Sequence, residues 1–109
     1  MIGIRLYLAQ RLSALIMAPL IIVHIATMIY AVQNGLTASE ILSRTQGSLW
    51  WGLFYGLFVA AVSVHAAIGV RAVLHEWFGI SGQRLDITTW CIGIGLALLG
   101  GRAVVAVVL

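Results

Sequence analysis

Three long apolar runs, separated by two short polar stretches, set the plan of this chain. The runs cover residues 12–32, 49–74 and 87–109, and each reaches the roughly 20 residues that a helix needs to cross the hydrocarbon of a bilayer. The pattern predicts an all-α membrane protein with three transmembrane helices. The first polar stretch, residues 33–40, is rich in turn formers and ends on Thr37-Ala38-Ser39-Glu40, a helix cap. The second, residues 75–84, carries Gly79 and Gly82, which break the helix before it. No internal repeat or low-complexity segment interrupts this order, so residues 1–109 read as one domain. Pro19 falls inside the first run and is expected to weaken or kink that helix near its middle.

Composition sharpens this picture. Of 109 residues, 62% are hydrophobic and only 8% charged, too few to cover a water-facing surface. The net charge of +3 comes from six arginines against three acids. The arginines are scattered, so they speak to topology and not to nucleic acid. Arg5 and Arg11 precede the first run, and Arg71 and Arg84 flank the second polar stretch, against Arg44 alone in the first. The N-terminus and second polar stretch are therefore expected on the cytoplasmic side of a bacterial inner membrane, in a multi-pass protein. Met1-Ile2-Gly3-Ile4-Arg5 does not resemble the charged region of a cleavable signal, so the first run reads as a retained span. Trp50, Trp51, Trp77 and Trp90 stand near run ends, where interfacial aromatics belong. Cys91 is the single cysteine and lies in an apolar run, which rules out an intrachain disulfide.

The candidate chemistry centres on Ser63-Val64-His65-Ala66-Ala67-Ile68-Gly69-Val70-Arg71. An imidazole in so apolar a segment needs a partner, because an unpaired polar group in hydrocarbon costs several kcal/mol. Gly69, four residues on, shares its face and removes bulk beside it, and Ala61, Ala66 and Ala72 keep the helix thin. Two readings stand: a histidine bonded to another helix, or a ligand facing the flat edge of a porphyrin. His24 lies in the outer half of the first span, whereas His65 lies nearer the middle or cytoplasmic half, so the two do not share a ligand easily. Arg102 follows Gly100-Gly101 inside the third run and either snorkels to the outer interface or meets a buried anion.

Taken together, these residues resemble the cytochrome b membrane-anchor subunits of succinate dehydrogenase and fumarate reductase. The resemblance rests on the three spans, on Gln10-Arg11-Leu12-Ser13-Ala14 opening the first, and on His65-x-x-x-Gly69 leading through Arg71 to Val73-Leu74-His75-Glu76-Trp77. It implies that His65 is an axial ligand of a b-type haem, with Arg11 near both a haem propionate and a quinone and Arg71 a further cofactor contact. The implied quinone site comprises Arg11, Ser13 or Tyr7 for a hydroxyl, Glu76, and Trp77 where a tyrosine is found in the smaller anchor subunit. The resemblance to two-haem members implies a second haem on His24; a hydrogen-bonded structural histidine is the alternative. His75 reads as a wet interfacial residue or a propionate contact.

The implied function is a haem-containing anchor of a succinate:quinone or quinol:fumarate oxidoreductase. The chain carries no nucleotide loop and no cysteine cluster, so FAD and iron–sulfur clusters belong to a flavoprotein and an iron–sulfur subunit docked on the cytoplasmic face at residues 71–86. One His65 leaves an axial position open, which calls for a second anchor chain or a second copy of this one in the bundle. Two rivals remain: a haem-free anchor for a soluble dehydrogenase, and a small oligomeric transporter with His24, His65 and Arg102 along a polar path.

Overall fold

A computed structural model describes residues 3–109. Among them, four helices follow one another: α1 (Ile4–Asn34), α2 (Ala38–Thr45), α3 (Leu49–Phe78) and α4 (Gly82–Val108). Three, α1, α3 and α4, are long and apolar enough to cross a membrane. These helices overrun the apolar runs at the end that carries Arg5 and Arg84: α1 starts eight residues before residue 12, and α3 extends to Phe78. Backbone hydrogen bonding continues into the headgroup region, where polar side chains meet water and nothing yet stops the helix. Residues 75–78, read from sequence as part of a connecting stretch, are thus the last turn of α3. Pro19 lies inside α1 without ending it.

Each end of these helices has an identifiable cause. Gly79 takes the left-handed conformation at φ 68° and stops α3, and the N–H groups of Gly79 and Ile80 both turn back to Leu74 O. Thr37 caps α2: its hydroxyl oxygen accepts from Glu40 N–H at 3.1 Å and its hydrogen meets the Glu40 carboxylate at 2.7 Å. Ser48 caps α3 by accepting from Trp51 N–H at 3.3 Å. The last carbonyls of α4, which have no partner within the helix, are met by the end of α2. Thr45 donates to Val107 O at 2.6 Å and Gly47 N–H to Val108 O at 2.6 Å.

α3 is the central helix and packs against both α1 and α4. Small residues set its distance from α4. Gly93 faces Ala67, and a Cβ placed on Gly100 would come within 2.6 Å of Val59 Cγ1. The sheaf is 48 Å long and 22 Å across in both other directions. The length exceeds the roughly 30 Å hydrocarbon layer, so both ends reach the headgroups. Little is buried within the chain: among the described residues, Ala61, Ala67, Ile68 and Leu85 are the apolar ones that are. Most large apolar side chains face outward, as lipid or a neighbouring chain permits and water does not.

Candidate functional site

α1 and α3 run antiparallel and bring Ser13 opposite His65. Ser13 is 5% exposed. Its hydroxyl lies 2.9 Å from Gln10 O, one turn back on the same helix, and 3.3 Å from His65 Nδ1. His65 is half-buried, and among the described residues its Nε2 makes no hydrogen bond. The imidazole opens onto a depression of about 650 Å³ on the outer side of the α1–α3 pair, lined by Tyr7, Gln10, Arg11, Ala14 and Leu15 among others.

One stripe of α3 continues from His65 to the helix end, because positions 65, 69, 72 and 76 share a face. Gly69 and Ala72 keep it shallow, and Glu76 ends it exposed. A Cβ on Gly69 would meet only Gln10 Nε2 at 3.6 Å, an ordinary contact, so the packing of this chain does not itself require the glycine. Beside the stripe the Gln10 side chain is held in, with its Oε1 buried and unbonded. Tyr7 and Arg11, one turn apart on α1, are both exposed, with the guanidinium carbon 5.7 Å from the ring centre. With the Ser13 hydroxyl engaged inside, Tyr7 offers the exposed hydroxyl of this pair of candidates. Trp77 lies at the end of α3, 79% exposed and one position off the stripe.

Arg71 is not brought to His65. It points to α4, where Nη1 binds Asp86 at 2.7 Å and Thr89 Oγ1 at 3.3 Å. His75 Nδ1 lies 2.9 Å from Ile80 O, in the turn after α3. His24 sits eleven residues beyond Ser13 on α1, about 16 Å along the axis at about 1.5 Å per residue. Its ring stands edge-on to Tyr55 at 5.9 Å and Phe58 at 5.3 Å, and its Nδ1 is buried without a hydrogen bond. Arg102 faces outward on α4 beside Leu98 and Val105. His24 thus packs between α1 and α3, His65 borders the depression beside α1, and Arg102 faces outward on α4.

Among the described residues no three metal-ligating side chains come together. A porphyrin iron asks less of the protein, since the macrocycle supplies four ligands and each side needs one imidazole. His65 would suit that demand: among the described residues its Nε2 has no hydrogen-bond partner, its Nδ1 has one, and the imidazole borders an open depression. Two parts of this arrangement had no sequence signal. The Ser13–His65 contact depends on the register of α1 against α3, and the Arg71–Asp86–Thr89 cluster depends on that of α3 against α4.

Residues 2–107 match a family model described as succinate dehydrogenase/fumarate reductase transmembrane subunit. No curated protein and no solved structure matches the chain.

Proposed function

This chain belongs to the succinate dehydrogenase/fumarate reductase transmembrane-subunit family, and we propose on that footing that it is a cytochrome b-type anchor in which His65 Nε2 ligates the iron of one haem b. The observation that carries the reading is the free Nε2 of a half-buried histidine, in an apolar span, backed on its other nitrogen and open to a depression beside Arg11. When bound, a haem held between two imidazoles relays single electrons and leaves no iron position for substrate. The second imidazole comes from another anchor chain or a second copy, because His24 stands a different level away. His24 is read as structural: an iron-ligating imidazole normally donates its second N–H to an acceptor, and His24 Nδ1 has none.

The residues around the depression divide the remaining work. Arg11, a fork of donors with no acceptor, serves a propionate or a quinone carbonyl oxygen, and Tyr7 beside it offers a hydroxyl that can donate or accept. Glu76 and Trp77 stand apart from the depression at the end of α3, Glu76 beside Arg71 and His75 at the α3–α4 turn, and serve a quinone at the rim, Trp77 donating only through its indole N–H. Arg71 serves the fold and the cytoplasmic rim through Asp86. A flavoprotein and an iron–sulfur subunit dock at that rim, over the α3–α4 turn, and supply or accept the electrons that pass to membrane quinone. The N-terminus faces the cytoplasm, as the excess of arginine at that end favours.

The test is a reduced-minus-oxidised and pyridine-haemochrome spectrum of the purified complex, with haem counted per copy of this chain. One haem is expected, lost in His65→Ala and retained in His24→Ala. An intact, active complex without haem would leave a bare anchor in place of the cytochrome, and haem lost with each variant in part would restore the two-haem reading.

A further inference from the structure

We propose that Ser13 is a positioning residue for His65: its hydroxyl oxygen accepts the Nδ1 hydrogen and so keeps Nε2 as the unprotonated nitrogen facing out of the helix pair. The inference rests on the reading of His65 as an iron ligand and assigns that ligand its tautomer. A serine hydroxyl has one hydrogen and two acceptor lone pairs. Its two neighbours are Gln10 O at 2.9 Å and His65 Nδ1 at 3.3 Å. The hydrogen goes to the nearer partner, a carbonyl that can only accept, in the back-bond a helical serine commonly makes. Toward His65 the oxygen can then only accept, so Nδ1 must carry the proton. In a neutral imidazole that leaves the lone pair on Nε2, the nitrogen without a partner among the described residues. At 5% exposure, Ser13 is shielded from water that would exchange for either bond. The same contact ties the ring plane to α1, a helix other than its own. His24 is the internal control, since it sits in the same pair of helices and its Nδ1 has no such acceptor.

Two measurements on the full chain test this. In the first, the haem-free chain labelled with ¹⁵N-histidine is studied by NMR in lipid bilayers, with the His65 signals assigned by loss in His65→Gln. The expected spectrum has Nδ1 protonated and Nε2 unprotonated in one population. Ser13→Ala should give a mixture of both tautomers, and Ser13→Thr, which keeps the hydroxyl, should restore the single form. In the second, the assembled complex is titrated potentiometrically. Loss of the acceptor makes the imidazole a poorer electron donor to iron, so the haem midpoint potential should rise in Ser13→Ala and return toward the parent value in Ser13→Thr. Nε2 protonated in the parent chain, or a Ser13→Ala variant with unchanged tautomer and unchanged potential, would overturn the proposal. The first measurement needs no haem. A tautomer set by Ser13 in a chain whose complex binds no haem upholds the positioning role and refutes the cytochrome reading; a haem on His65 that is indifferent to Ser13 does the reverse.

Discussion

Two histidines in apolar spans part company over one atom each. His65 has a hydroxyl behind Nδ1 and nothing bonded to Nε2, whereas His24 has aromatic edges and an unbonded, buried Nδ1. Orientation of a ligating imidazole by its second nitrogen is worth about 10–100-fold in metal affinity or activity. Gly69 makes a related point about space. Its absent side chain is not needed by the chain's own packing, where an added Cβ meets only Gln10 Nε2 at an ordinary distance. Alanine is about 1 kcal/mol more favourable than glycine inside a helix. Gly69→Ala should therefore leave the thermal unfolding of the isolated chain unchanged or raise it slightly, while lowering the haem content of the complex. Full haem content in that variant would show that the glycine does not make room for the cofactor.

At the scale of elements, the contact between α3 and α4 is set by small residues and one polar cluster. Gly100 has no room for a side chain, because Val59 lies where its Cβ would go. Gly100→Leu should force the helices apart, at about 1–3 kcal/mol for an overpacked site, measured as a drop in the stability of the chain in detergent titration. Equal stability would mean that α4 can rotate about α3 at little cost. The Arg71–Asp86 pair is a weaker fastening, since Asp86 is 59% exposed and water screens it. α2 plays its part at the opposite end, where its last residue, Thr45, and Gly47 in the turn after it occupy carbonyls of α4 that the helix itself cannot satisfy. The Thr37-x-x-Glu40 box that begins α2 was legible in the sequence. Its docking on α4 was not, because the bonding atoms are the backbone oxygens of Val107 and Val108 and carry no residue signature.

The whole molecule is a thin sheaf with one central helix and an apolar exterior. It buries so few of its own side chains that the arrangement stays open on the His65 side, where a depression of about 650 Å³ lies beside the imidazole. The arginine distribution predicts which end lies in the cytoplasm. In a Cys91→Ser background, Ser81→Cys in the α3–α4 turn should resist a membrane-impermeant maleimide in intact cells, and Ser43→Cys on α2 should react. The opposite labelling would reverse the chain and place the docking rim outside. The three spans and their order were readable because a bilayer imposes a single demand of length and apolarity on each.

The sequence by itself determined that this chain is a three-span, all-helical membrane protein and supplied the family likeness, since both depend on local patterns: apolar length, breaking glycines, and a histidine with a glycine four residues on. Tertiary structure alone decided which side chains share a site. It set Ser13 against His65, turned Arg71 away to Asp86, buried the Ser13 hydroxyl that the sequence offered to a quinone, and left Tyr7 and Arg11 outside. The reason is physical. An apolar span fixes its own depth through its ends, but its rotation and its register against a neighbour come from the fit of small residues such as Ala67, Gly93 and Gly100 across the contact, and that fit is a property of pairs of helices.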